Sequence, residues 1–95
     1  MIVLLVQFTV KTGNEELAIH FIQKMQEQSR RERGCLMYAG HQSSKDPRHF
    51  FFYEQYENAE ALDAHRASAY FREYITNGLE KIMDTVTREL YQRVE

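Results

Sequence analysis

The stretch FFFYEQY at residues 50–56 runs directly into ENAEALDAH at residues 57–65, and this junction decides the fold of the chain. Aromatic side chains on both faces of the first segment are typical of a central β-strand. Asn58 then occupies the position of a helix N-cap, and Leu62 and His65 follow three residues apart on one side of the predicted helix. The junction therefore predicts a buried strand that leads through a short turn into an amphipathic helix.

The residues before this junction predict three further elements. Residues 2–10 are rich in apolar and β-branched side chains and predict the first strand. Asn14 is expected to cap the first helix, and Gly34 is expected to stop it. Residues 35–43 predict a second strand, which a turn connects to the strand at residues 50–56.

The second helical region is expected to contain a break. Its apolar spacing is interrupted near Ala67 and Ser68 and then continues to Met83, and residues 85–94 predict the last strand. The order strand, helix, strand, strand, helix, strand predicts one α+β domain over residues 1–95, of ferredoxin-like βαββαβ plan. The strands are expected to form an antiparallel four-stranded sheet in the order 4-1-3-2, with the helices on one face.

The two strands predicted at the centre of the sheet, residues 2–10 and 50–56, carry apolar side chains on both faces. Since the helices cover one face only, the apolar side chains of the other face would contact water. An exposed apolar patch of this size usually marks an interface. Two sheets that pack face to face would bury it, so the sequence predicts a homodimer.

Composition and charge disfavour several classes of protein. The chain has 95 residues, a net charge of −2 and a single cysteine, Cys35. An intrachain disulfide is therefore impossible, and the four histidines show no spacing typical of a metal site. No apolar run approaches the ~20 residues of a membrane helix, and the N-terminal segment does not resemble a signal peptide. We therefore expect a cytoplasmic protein with no metal and no membrane partner.

RNA-binding domains of the RRM class have the same order of elements and are an alternative. Residues 48–56 superficially resemble the RNP1 motif, but His49 stands where RNP1 has glycine and Phe51 stands where it has a small residue. The first strand also lacks an aromatic residue at the RNP2 position, and the negative net charge disfavours binding to a polyanion. We therefore expect no nucleic-acid partner.

Two segments carry a resemblance to a known family. They are ERGCLMY at residues 32–38 and FYEQYENAEALDAH at residues 52–65, which is followed by Ser68 and by Tyr70 and Phe71. In these motifs the chain resembles the antibiotic biosynthesis monooxygenase family. The resemblance implies a dimeric α+β barrel with a pocket between sheet and helices in each protomer. Several members oxidise polycyclic phenols or quinols with O₂ and use no metal or flavin.

By the same resemblance, the pocket positions carried over to this chain are Glu54, Tyr56 and His65. Tyr56 is a departure, because many members have Trp there to stack on a large polycycle. Gln7 stands where the haem-degrading members of the family have Asn. Residues 70–77 contain no histidine at the position of their iron ligand, so haem degradation is not expected here.

The predicted chemistry is a cofactor-free oxidation of a small aromatic quinol or phenol by O₂. His65 is the expected general base, because the ordinary pKa of histidine lies near neutral. Glu54 is expected to orient His65 or to have a raised pKa of its own. The expected substrate contacts are Tyr56, Gln7, Tyr38 and Phe71.

A purely structural role is an alternative for His65, Glu54 and Tyr56. His65 can be a core histidine, Glu54 can form an ion pair with an arginine, and Tyr56 can be a core aromatic residue. Two other functions also fit the sequence. One is an isomerase of a small carbonyl or phosphorylated metabolite on the same scaffold, and the other is a dimeric barrel that binds a small ligand without catalysis.

Overall fold

The predicted order of strands and helices is confirmed by the computed structural model, which describes all 95 residues, Met1–Glu95. The elements are β1 (Ile2–Val10), α1 (Glu15–Ser29), β2 (Cys35–Gln42), β3 (His49–Tyr56), α2 (Ala59–Arg66), α3 (residues 69–82) and β4 (Met83–Tyr91). The third helix, α3, consists of Ala69–Phe71, a π-helical part at Arg72–Leu79, and Glu80–Ile82. No helix combines the length and the apolar composition needed to cross a membrane.

The sheet is antiparallel and has the predicted strand order, β2-β3-β1-β4. Leu4 on β1 and Tyr38 on β2 both lie opposite Glu54 on β3. Val6 on β1 lies opposite Arg88 on β4. Because directly opposed residues share a face of the sheet, these five side chains project toward the same side.

The helices cover the face that carries Glu54. Strand alternation puts Glu54 and Tyr56 on one face of the sheet but does not decide which face. Glu54 is 3% exposed and Tyr56 is 0% exposed, so both lie on the covered face. The core lies between this face and the three helices. Its largest fully buried side chains are Phe8, Met25, Tyr38, Phe50, Tyr56 and Leu79.

The helix caps are confirmed in part. The side chain of Asn58 accepts a hydrogen bond from the backbone N–H of Ala61 at 2.9 Å, as predicted for an N-cap. Ser68 repeats this arrangement at the predicted break, where its Oγ accepts from the N–H of Phe71 at 3.2 Å. Asn14 occupies the N-cap position of α1, but its side chain accepts no capping hydrogen bond and instead donates to the carbonyl of Lys11.

Gly34 does not end α1, and this prediction was wrong. The helix ends at Ser29, and Arg30 takes the C-cap position in ordinary right-handed geometry. Gly34 lies in the following loop, where a Cβ atom would overlap the Cβ of Ala61. Its small size lets α2 pack directly against the start of β2, and this contact helps to set the position of the α2 side chains that face the sheet.

The bounds of the last elements also differ from the prediction. Met83 belongs to β4 because it pairs with Val10, and the strand ends at Tyr91, which pairs with Val3 near the start of β1. Residues 92–94 have no partner strand and are therefore not part of the sheet. Within α3, the N–H of Glu80 bonds the carbonyl of Ile75, the i→i−5 spacing of a π-helix.

Candidate active site

The site is organised around His65, in the last turn of α2. The Asn58 cap fixes the start of this helix, and the imidazole of His65 points toward the sheet and is 2% exposed. Three aromatic rings surround it. Their centroids lie 5.4 Å (Tyr38), 5.3 Å (Tyr56) and 5.3 Å (Phe71) from the imidazole centroid. The structure therefore brings together four of the predicted site residues.

Glu32, which the sequence interpretation did not assign to the site, holds one side of the imidazole. It lies in the loop between α1 and β2, and its Oε2 is 3.0 Å from Nδ1 of His65. The hydroxyl of Tyr70 donates a hydrogen bond to the same oxygen. The contact of Glu32 with His65 spans 33 positions, so no local pattern in the sequence predicts it. The one sequence signal that could have indicated Glu32 is its place as the first residue of the family motif at residues 32–38.

Glu54 lies on the other side of the imidazole. Its Oε1 is 4.0 Å from Nε2 of His65 and accepts a hydrogen bond of 2.6 Å from the hydroxyl of Tyr56. The distance to His65 is too long for a hydrogen bond. No arginine forms a salt bridge with Glu54, so the purely structural ion pair considered from the sequence is absent.

Burial shifts the pKa values of all three ionisable groups toward their neutral forms. It raises the pKa of Glu54 to about 7, although the hydrogen bond from Tyr56 and the charge of Arg66 act in the opposite direction. It also raises the pKa of Glu32 to about 7. Burial lowers the pKa of His65 to about 4, and the charge of Arg66 adds to this effect. The imidazole is therefore neutral at neutral pH.

The hydrogen bonds assign the tautomer of the neutral imidazole. A neutral histidine has one N–H donor and one nitrogen lone pair, whereas an ionised carboxylate only accepts. With Glu32 ionised, the N–H of His65 belongs on Nδ1, and Nε2 is left with its lone pair on the side of Glu54. A nitrogen base that a carboxylate orients through its second nitrogen is a recurrent arrangement in enzymes.

A small cavity lies between the sheet and the helices beside this cluster. Its volume is about 40 Å³, and its apolar walls include Val6, Phe52, Phe71 and Ile75. Its polar lining consists of Tyr38, Glu54, His65, Arg66 and Arg88. Since one water occupies about 30 Å³ in the liquid, the cavity in this state admits a molecule of the size of water or O₂.

Two of the four predicted substrate contacts line the cavity, and two do not. Tyr38 and Phe71 line the cavity. Tyr56 does not line it, because its hydroxyl lies against Glu54 and its ring is buried in the core. Gln7 is exposed on the opposite face of the sheet, where it borders a hollow with His49 and Thr87, so its prediction as a contact in this cavity was wrong. Successive side chains of a strand point to opposite faces of the sheet. Since Val6 and Phe8 point toward the helices, Gln7 between them points to the open face.

A larger hollow of about 660 Å³ lies on the open face of the sheet, beside Leu5, Tyr53 and Tyr91. Neither a carboxylate nor a histidine lines this hollow. We place the candidate active site in the smaller cavity, because the groups able to move protons near neutral pH are assembled there.

Comparison with known proteins agrees with this fold. The sequence profile of the family described as antibiotic biosynthesis monooxygenase matches residues 1–77. This chain belongs to the antibiotic biosynthesis monooxygenase family. The matched part includes Glu32, Glu54 and His65, whereas β4 lies outside it.

Solved structures extend the likeness to the whole chain. One is a crystal structure of an antibiotic biosynthesis monooxygenase, 26% identical, with 100% of both chains covered and a TM-score of 0.93. Another is of a Pseudomonas aeruginosa protein, 26% identical over 99% of this chain and 94% of that chain, with a TM-score of 0.92. An uncharacterized protein of Synechocystis sp. is 29% identical over 86 residues; the match covers 90% of this family member but only 58% of the Synechocystis protein.

Proposed function

We propose that this chain is a cofactor-free monooxygenase that oxidises a small aromatic quinol or phenol with O₂. The observation that carries the proposal is the neutral, buried imidazole of His65, whose Nδ1 is held by Glu32 at 3.0 Å and whose Nε2 is free beside the cavity. Electron transfer from a quinol to O₂ becomes favourable once the quinol has lost a proton. A fixed neutral imidazole in a water-poor aromatic cavity can accept that proton. Its pKa of about 4 makes this transfer uphill, and the carboxylate of Glu32 at Nδ1 offsets part of the cost.

The first step is a proton transfer to His65. Nε2 accepts the proton of one quinol hydroxyl, which leaves a phenolate and an imidazolium. Glu32 stabilises the imidazolium through Nδ1–H, because a carboxylate beside the ring offsets its positive charge. The apolar walls formed by Val6, Phe52 and Ile75 exclude water from the reacting carbon.

The second step forms the carbon–oxygen bond. The phenolate gives one electron to O₂, and the two radicals combine at a ring carbon that carries a hydrogen. The peroxide takes the proton back from His65 and becomes a hydroperoxide. Removal of the ring-carbon hydrogen, with Glu54 as the nearby base, breaks the O–O bond and releases water. In total, one quinol and one O₂ are consumed, and one hydroxyquinone and one water are formed.

Entry of a substrate ring requires movement of the cavity wall. The cavity of about 40 Å³ is far below the roughly 300–1,000 Å³ of typical ligand pockets. Phe71 and Ile75 form the wall on the side of α3, and Phe71 is only partly buried. Outward movement of this part of α3 would admit the ring while the sheet side of the cavity stays in place.

The proposed assembly is a homodimer formed through the open face of the sheet. Val3 is buried, and Leu5, Phe51 and Tyr53 are half-buried on this face, although no helix covers it. Central strands that are apolar on both sides require a cover for each side. A second copy of the same sheet supplies a cover of matching shape and polarity.

The test of the proposed activity is isotope incorporation. Menadiol is incubated with the protein, catalase and ¹⁸O₂, and the products are analysed by mass spectrometry. The proposal predicts a hydroxylated menadione with one ¹⁸O atom, formed in proportion to protein and not formed by His65→Ala. Unlabelled menadione alone in every sample would overturn the monooxygenase assignment. Chemical change without O₂ would identify an isomerase, and binding without turnover a ligand-binding protein.

A further inference from the structure

Two guanidinium groups lie along the cavity and take no part in the proton transfers described above. Arg66 directly follows His65 at the end of α2, and Arg88 lies on β4 opposite Val6. Both side chains line the cavity together with Glu54. The chain therefore places two positive charges, from two separate elements, at one small cavity.

Exposure distinguishes the two ends of this cavity. His65 is 2% exposed and Glu54 is 3% exposed, so the acid–base groups form its inner end. The side chain of Arg88 is 42% exposed, and Arg66 is an exposed residue. The two arginines therefore mark the mouth of the cavity, where a substrate would keep any substituent that does not fit among the aromatic rings.

Most of the hydrogen-bonding capacity of the two arginines is unused within the chain. Nη2 of Arg88 donates to Oε2 of Glu80 at 3.0 Å, and no hydrogen bond or salt bridge occupies the guanidinium of Arg66. Each guanidinium offers five N–H donors in a planar fork. Both charges also act on the inner end of the cavity, since they oppose the rise that burial causes in the pKa of Glu54.

We propose that the substrate carries an anionic group, a carboxylate or a phosphate, which Arg66 and Arg88 bind at the mouth of the cavity while a ring hydroxyl faces His65. This inference rests on the proposed function, because it names the substrate class of the same site. The fork of an arginine matches the two oxygens of a carboxylate or phosphate, and such charge-assisted bonds are the stronger ones. The anion would lie at the exposed end, away from the buried carboxyl of Glu54.

Binding of redox-inert analogues tests this proposal separately from turnover. The ligands are 6-hydroxy-2-naphthoate, its uncharged methyl ester and 6-hydroxy-2-naphthyl phosphate, titrated by calorimetry at pH 7.5 and low ionic strength. A lost charge-assisted contact typically weakens binding by about tenfold to 100-fold. We expect at least one anion to bind about tenfold or more tightly than the ester, and the tighter anion identifies the substituent as carboxylate or phosphate.

Variants connect this preference to the two arginines. Arg66→Gln and Arg88→Gln are each expected to reduce the preference for the anion over the ester by about tenfold. Arg31→Gln is the matched control, because Arg31 is highly exposed just after α1 and does not line the cavity. Circular dichroism and the thermal midpoint verify that each variant is folded.

The outcomes separate this inference from the proposed activity. An anion preference that disappears in the folded double variant Arg66→Gln/Arg88→Gln supports the inference, even if no substrate consumes O₂. Equal binding of the acid, the phosphate and the ester by the wild-type protein would overturn it, even if a neutral quinol is oxidised. A preference that survives in the double variant would also overturn it.

Discussion

His65 and Glu32 are 33 positions apart in sequence, and Nδ1 of His65 lies 3.0 Å from Oε2 of Glu32. The contact joins the end of α2 to the loop that precedes β2. Tyr70 of α3 donates to the same carboxylate, so three separate parts of the chain meet at one oxygen atom. This arrangement fixes the direction of the imidazole ring and leaves its other nitrogen without a hydrogen bond beside the cavity.

Replacing Glu32 by Gln should lower kcat by roughly 10²-fold or more, because an amide can hydrogen-bond Nδ1 in the wrong tautomer of His65. The measurement is steady-state O₂ uptake with menadiol. Glu27→Gln is the control, since Glu27 is exposed on α1 and forms only 4.0 Å ion pairs. A purely structural role for Glu32 would instead lower the thermal midpoint and leave both kcat and the pH profile of the folded fraction unchanged.

The pH dependence of kcat/KM should follow the buried carboxyls and not the imidazole. His65, with a pKa of about 4, is already neutral above that pH. Glu32 and Glu54, whose pKa values are raised to about 7, must lose their protons before they can orient His65 or act as a base. We expect activity to rise from pH 5 to pH 8 with an apparent midpoint near 7, after subtraction of quinol autoxidation. A midpoint near 4, with a flat profile at higher pH, would contradict this assignment.

Glu54→Gln should stabilise the protein at pH 8, because burial of the ionised carboxyl is costly. Between pH 4.5 and about 7 the folded form of Glu54 binds more protons than the unfolded form, so the free energy of unfolding falls as pH rises. The rise in the pKa of Glu54 from 4.5 to about 7 lowers the free energy of unfolding at pH 8 by at most about 3 kcal/mol. His65 has the opposite effect between pH 4 and 6.5, where the unfolded chain binds more protons.

The measurement for Glu54→Gln is urea unfolding of both proteins at pH 4.5, 6 and 8, with Glu27→Gln as the control. The glutamine retains an oxygen that can accept the hydrogen bond of Tyr56. We expect the gain in stability to be largest at pH 8 and to disappear at pH 4.5, where the wild-type carboxyl is protonated. An equal difference at all three pH values would show that Glu54 does not titrate in this range.

The proposed homodimer predicts a solution mass of about twice the 11.4 kDa of the chain. Phe51 is a suitable probe, because it lies on the open face of the sheet and stacks on His41 at a centroid distance of 4.3 Å. Phe51→Glu should shift the protein toward the monomer, whereas Leu17→Glu, an exposed position on α1, should not. Light scattering after size exclusion measures both. A monomeric wild-type protein would exclude the dimer.

The sequence predicts the fold well because each strand and each helix is indicated by a pattern of neighbouring residues. The aromatic strand at residues 50–56, the cap at Asn58 and the break at Ser68 are each encoded within a few neighbouring residues. The ends of β4 are less predictable, because its length depends on where β1 provides a partner. The π-helical part of α3 has no local signal that we can identify.

The candidate site is predictable only in part, because its contacts join distant segments. The family motif indicates His65 and Glu54, and helix periodicity directs His65 toward the sheet. Strand alternation does not by itself decide which face of the sheet carries Glu54. Glu32 was not assigned a role, since a charged residue in a loop is ordinarily solvated and only the tertiary fold brings it to His65. Gln7 was assigned by resemblance alone, and strand alternation places it on the other face.

The proposed role of His65 is that of the base in a cofactor-free oxidation. Its most direct test is the initial rate of O₂ uptake by metal-stripped protein with menadiol, compared between wild type and His65→Ala at pH 8. His20→Ala, an exposed position on α1, is the matched control. We expect enzyme-dependent uptake that falls about 10²–10⁴-fold in His65→Ala and is unchanged in His20→Ala. Uptake of equal rate in folded His65→Ala and wild type would contradict this role.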